Sequence, residues 1–157
     1  MGSPSKNLIL AEDTLRILVE HLIDAQEGLL TIGDDMKNET LKHHFLAESL
    51  KRAQYRGEIE SILHQEGERD LHICGTAEGT AIRAWAGLKH ALGGGDHALL
   101  ATAEDAENAL VQAYAVALDA DLPLPIRQTL ATQAAHIHHS LEFIHAAHPW
   151  LHPARRR

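Results

Sequence analysis

Residues 5–36 read SKNLILAEDTLRILVEHLIDAQEGLLTIGDDM. Within them Leu8, Ala11, Leu15, Leu18, Leu22, Ala25, Leu29, Ile32 and Met36 alternate spacings of three and four without a break. That rhythm keeps one side of an α-helix apolar along its whole length, whereas a half-buried strand needs a period of two. The stretch therefore predicts a long helix with one continuous inward seam. Ser5 is its N-cap candidate. Gly33 and Asp34-Asp35 loosen its end, and Asn38 begins a turn.

Three more long helices follow from the same test. One spans about 39–66 and stops at Gly67, with the seam Leu41, Phe45, Glu48, Arg52, Tyr55, Ile59 and Ile62. The next, about 97–120, carries Leu100, Ala103, Glu107, Leu110, Tyr114 and Ala117. The last, about 126–147, carries Ile126, Leu130, Gln133, Ile137, Leu141 and Ile144, with Pro149 limiting it. Between the second and third lie a loop at 67–75 and a shorter helix, about 76–92, that presents Ile82, Trp85, Leu88 and Leu92. Gly93-Gly94-Gly95 ends that helix, and Asp96 is the expected cap of the next one. Short turns make the first and second helices antiparallel neighbours, and likewise the third and fourth. The long connection in the middle can carry the chain back along the second helix. The expectation is one all-α domain over 1–157: a four-helix bundle with a short crossover helix.

Composition narrows the function classes. Hydrophobic residues make up 45% and aromatics only 4%, which favours close packing of Leu, Ile and Ala on helices over sheets. The formal net charge of −8 repels phosphate backbones, so no nucleic-acid partner is expected, and the Arg155-Arg156-Arg157 run is too short to reverse this. Cys74 is the single cysteine, which leaves no internal disulfide and no cysteine-based zinc site. No apolar run is long enough to span a bilayer and residues 1–7 do not read as a signal peptide, so no membrane partner and a cytoplasmic location are expected. Lys6 stands where a myristoylation signal needs Ser or Thr. Gly93-Gly94-Gly95 lacks the Lys and the strand of a phosphate loop, and nothing activates Cys74 as a nucleophile.

Polar residues interrupt the seams at one depth. Glu48 lies about nine residues into its helix and Glu107 about ten into its own, while Gln26 and His136 lie about eleven before their helix ends. One layer can hold Gln26, Glu48, Glu107 and His136, and the next turn His21, Arg52, Tyr55 and Gln133. Glu48, Glu107 and His136 are the candidate metal ligands, since two carboxylates and one imidazole suit Fe, Mn or Zn. The competing reading makes Arg52, one turn from Glu48, the centre of a buried ion-pair network with Glu48 and Glu107, joined by the hydroxyls of Tyr55 and Tyr114. A guanidinium beside an intact metal site would be repelled, so the ion-pair reading is preferred.

Four stretches carry a family likeness: Asp24-Ala-Gln-Glu-Gly28; Arg52-Ala-Gln-Tyr55 followed by Glu58; Trp85-Ala-Gly-Leu-Lys-His-Ala-Leu-Gly-Gly-Gly-Asp96; and Glu104-Asp-Ala-Glu107 leading to Tyr114. In their order and spacing the chain resembles the ferritin-like superfamily. In detail it is similar to an uncharacterised bacterial family of ferritin-like four-helix-bundle proteins, a domain of unknown function. Di-iron members of the superfamily take one Glu from each of two helices and a Glu-x-x-His pair from each of the others. Against that pattern Glu48, Glu107 and His136 match. Gln26 and Gln133 stand where Glu is needed, and Lys51 where His is needed. The resemblance thus implies an incomplete di-metal site with too little negative charge for two hard cations.

Three functional expectations follow. The first is a non-enzymatic bundle with a vestigial site, its role open and a stress-related one among those expected. The second is a metal-binding protein, either mononuclear for Fe, Mn or Zn, or active in weak iron oxidation or storage. The third is a module that forms a homodimer through the stripe Leu46, Leu50, Ala53 and Gly57. Of the 13 histidines, His136, His138, His139, His145, His148 and His152 crowd the C-terminal quarter. His145 and His148 share a face and could bind a transition metal, but a solvated face is the preferred reading, as it is for His43 and His44. Glu60 and His64 read as an i, i+4 helix-supporting pair.

Overall fold

The computed structural model describes residues 6–65 and 85–151, with side chains from residue 12 of the first helix onward. The helices are α1 (Lys6–Asp35), α2 (Glu39–Gln65), the single-turn α3 (Leu88–Ala91), α4 (Asp96–Asp119) and α5 (Leu124–Leu151). Among the described residues there is no strand. The fold is all-α. α1 packs on α2 and α4, α5 packs on α4 and α2, and α3 packs on α4.

The buried positions follow the seams. From Leu15 to Ile32 every seam member of α1 is buried, as is Met36 just past its end, and so are all the named members on α4 and α5. On α2 the seam ends on Leu63 rather than Ile62, because consecutive four-residue steps after Tyr55 keep Ile59 and Leu63 inside. These side chains form two apolar clusters. One gathers Leu15, Leu18, Leu22, Ile59, Leu63, Leu110, Ile126, Leu130 and Ile137. The other gathers Leu29, Ile32, Met36, Phe45, Leu99, Leu100 and Ile144. Glu48, Ser49, Arg52, Glu107, Gln133 and Ser140 are buried but belong to neither cluster.

Helix ends are tied across the molecule. Asn38 caps α2, its Oδ1 accepting the Leu41 N–H at 3.0 Å. Asp96 does not cap its own helix, since Gly95 is the cap residue there. Its carboxylate instead accepts the N–H groups of Lys37 and Asn38, at 2.8 and 2.7 Å, and fixes the start of α4 beside the α1–α2 turn. Asp35 Oδ2 accepts the Gly93 N–H at 3.2 Å from the other side. Gly93 and Gly95 have φ of +81° and +90°, a backbone region closed to most side chains, which is why this clasp is built from glycine. At the opposite turn the Arg127 guanidinium donates to the carbonyls of Leu118 and Ala120, which close the end of α4.

Two expected boundaries move. The larger part of the expected crossover helix, with Ile82, and the whole loop 67–75 lie outside the described residues; among its described residues, 85–92, Leu88–Ala91 are helical. The last helix begins at Leu124 and runs through Pro149 to Leu151. Pro125 falls in its first turn, where no N–H donor is needed, whereas Pro149 lies inside the helix and leaves the His145 carbonyl without its i+4 donor.

Candidate functional site

The polar layer lies between the two apolar clusters and is built mainly from α2, α4 and α5. Glu48 and Arg52 are one turn apart on α2, so both point into the same interior. Arg52 is fully buried and holds a carboxylate with each terminal nitrogen. Nη1 donates to Glu48 Oε1 at 3.1 Å, and Nη2 donates to Glu107 Oε2 at 2.5 Å. His136 reaches Glu48 from α5, its Nε2 lying 2.9 and 3.0 Å from the two carboxylate oxygens. The three sequence-predicted ligands are therefore brought into one layer, with the guanidinium between Glu48 and Glu107. Arg52 Nε and Glu107 Oε1 are buried without a hydrogen-bond partner. Among the described residues, no group of three or more His, Cys, Asp and Glu side chains is placed as it stands to hold a metal ion.

Electrostatics separates the two carboxylates. Burial pushes Glu107 above the usual carboxylate range, and the single bond from Arg52 offsets only part of that push. Burial also acts on Glu48, but Arg52, His136 and His44 together outweigh it and hold Glu48 below that range. Burial acts to lower the Arg52 pKa, yet the two carboxylates more than compensate, so the guanidinium is held charged.

A second chain runs beside the first. Tyr114 Oη donates to Gln133 Oε1 at 2.6 Å, and Gln133 Nε2 donates to Glu58 Oε2 at 2.9 Å and to the Tyr55 carbonyl at 3.4 Å. Gln133 is thus a neutral relay that joins Tyr114 to Glu58 and to the α2 backbone. The Tyr114 hydroxyl, expected in the Arg52 network, bonds Gln133 instead, and burial raises its pKa. Tyr55 enters through its carbonyl and through its ring, which stands edge-on to His136 with centroids 5.9 Å apart.

The other expected members divide. The Gln26 carbonyl accepts the Ser49 hydroxyl at 2.8 Å, tying α1 to α2. His21 lies on the α1–α4 side, in a groove with Thr14, Ile17, Ala109, Gln112, Ala113 and Val116, and burial lowers its pKa. His44 is not a solvated face residue. It stacks on Phe143 with centroids 4.0 Å apart and lies 3.1 Å from Ser140 Oγ. Ser140 is 96 positions away in the chain, so no local spacing could reveal that contact. His43 is exposed beside Glu39, as expected. Glu60 pairs with Arg56 at 2.7 Å rather than with His64.

The stretch 11–120, more than two thirds of the chain, matches a family described as "Domain of unknown function (DUF2383)". The chain belongs to this family. The DUF2383 match contains Glu48, Arg52, Glu58 and Glu107, and ends before α5 brings Gln133 and His136. No curated protein and no solved structure matches the chain. No described helix is long and apolar enough to cross a membrane.

Proposed function

We propose that this DUF2383 protein is a ferritin-like four-helix bundle in which the Arg52 guanidinium fills the position of the di-metal centre, leaving a non-enzymatic bundle. The observation that carries this reading is the pair of bonds from Arg52 to Glu48 and Glu107. The residues present do not fit two metal ions. A fixed cation stands between the carboxylates, Gln133 is committed to Tyr114 and Glu58, and Lys51 is exposed. A cation entering this layer would have to displace a buried guanidinium from a fork that it fits by shape as well as charge. The ferritin-like assignment is supported by the closed ring of packing among the four long helices. It is further supported by the Asp96 bonds, which bring the chain back to the α1–α2 turn before α4 starts.

One observation favours a metal-binding reading. His136, with 37% of its side chain exposed, and Glu48 meet at the solvent edge of the layer, as two ligands of a mononuclear site would. Titration of untagged protein with Fe²⁺ and Mn²⁺, with iron oxidation followed in parallel, separates the two readings. The Arg52 reading expects no oxidation above buffer and no binding that depends on Glu107. Metal uptake that falls in Glu107→Gln or Glu48→Gln contradicts it.

A further inference from the structure

The C-terminal histidines are not absorbed by the core network, and two of them meet a carboxylate from another helix. His145 and His148 leave the same face of α5 at i, i+3. Glu104 faces them from α4, one turn before Glu107. Its oxygens are taken one each: His145 Nε2 lies 3.0 Å from Oε1, and His148 Nε2 is hydrogen-bonded to Oε2. His97 lies two turns before Glu104 on the same side of α4, and its ring stands 6.1 Å from that of His148. The cluster is open to solvent, with side-chain exposures of 54% at His145, 29% at His148 and 26% at Glu104.

We propose that Glu104, His145 and His148, with His97 beside them, bind one divalent transition ion of the zinc class. Imidazole nitrogens with a single carboxylate form a borderline donor set that takes Zn²⁺, Co²⁺, Ni²⁺ or Cu²⁺ and leaves Mg²⁺ and Ca²⁺ to all-oxygen sites. As they stand the donors do not converge on a vacant point, because both imidazoles place Nε2 on the one carboxylate. A cation entering between them takes over those hydrogen bonds. The carboxylate oxygens accept, so each Nε2 now carries the proton; on binding, that proton moves to Nδ1 or passes to solvent, and the freed Nε2 lone pair turns to the metal. His145, the most exposed of the three, has room to make the adjustment. One carboxylate leaves the bound ion with excess positive charge, which a chain of net charge −8 accommodates. The site lies outside the core layer and does not depend on what neutralises Glu107.

The test is calorimetric titration of Zn²⁺ into the full-length chain without a histidine tag, with Co²⁺ absorption as the spectroscopic probe. The expected result is one equivalent of ion and a four-coordinate cobalt spectrum. Losing an outer-sphere partner of a metal site already weakens binding about 10–100-fold. Glu104→Gln and His148→Ala, which remove ligands, should therefore weaken it at least about tenfold and abolish the cobalt band. His139→Ala, an exposed histidine beside Glu142, should leave both unchanged. Circular dichroism verifies each fold, and His145→Ala replaces any variant that does not fold. Absence of Zn²⁺ binding, unchanged affinity in the ligand variants, or loss in His139→Ala instead would overturn the proposal. A signal lost only in Glu107→Gln would overturn the Arg52 reading as well.

Discussion

Arg52 brings a fixed positive charge into the middle of an apolar core and meets two carboxylates there, while its Nε and the Glu107 Oε1 stay unpartnered. Such an assembly is costly to break and not costly to replace whole. Removing one member of a buried pair strands the other charge, at about 3–5 kcal/mol, whereas exchanging the set for apolar groups of similar volume is neutral or stabilising by about 1–4 kcal/mol. Arg52→Met is therefore expected to lose about 3–5 kcal/mol in urea denaturation at neutral pH. The triple variant Glu48→Leu/Arg52→Met/Glu107→Leu should be at least as stable as the native chain. In Arg52→Met both carboxyls lose their cation, so the folded pKa of Glu48 rises above the unfolded one and that of Glu107, already raised by burial, rises further. A group so shifted contributes its stability below the unfolded pKa and loses it as pH rises, so the deficit of this variant should shrink toward acid pH. In the native chain Glu48 has the opposite sign. Its depressed pKa gives stability that is present above the ordinary carboxylate range and lost as pH falls through the folded value. An Arg52→Met deficit that does not vary with pH would contradict this account of the layer.

Among the helices, glycine marks where backbones and side chains come closest. A Cβ on Gly33 of α1 would stand 2.7 Å from Leu46 Cδ2 of α2, and one on Gly28 would stand 2.5 Å from the Trp85 ring. Gly33 therefore seats Leu46 within the chain, which removes one member of the stripe expected to pair two copies. Leu50 in that stripe is 74% exposed. Gly57 on α2 meets nothing within 4 Å. The two glycines should respond oppositely in thermal or urea unfolding. Gly57→Ala is expected to stabilise by about 0.5–1 kcal/mol through lower backbone entropy, and Gly33→Val to destabilise by about 1–3 kcal/mol through overpacking. Asp96→Ala should cost about 1–2 kcal/mol, because it strips two N–H groups of their acceptor at the start of α2. A change within error in that variant would show the clasp to be incidental.

At the scale of the whole molecule, the sequence was informative where a property repeats along one helix and silent where two distant helices meet. The alternating spacing from Leu8 to Met36 is written locally, so the helices and their buried faces could be read directly. The depth of Glu48, Glu107 and His136 was legible for the same reason, since a constant rise per residue turns position into height. Glu104 facing His145 and His148, His44 against Ser140, and Asp96 reaching Lys37 and Asn38 were not legible. Each depends on which faces two helices turn to one another, and no periodicity within one helix records that. The run through Pro149 was missed because proline lacks the N–H of an interior helix bond and so reads as a helix stop.

The central claim is that a guanidinium, not a metal, neutralises Glu48 and Glu107. The most direct test is a crystal structure of crystals soaked in Fe²⁺, Mn²⁺ and Zn²⁺, with anomalous scattering recorded at each metal edge. The account predicts guanidinium density between Glu48 and Glu107, and no anomalous peak in that layer in any soak. An anomalous peak between those carboxylates, with Arg52 turned away from them, would contradict it.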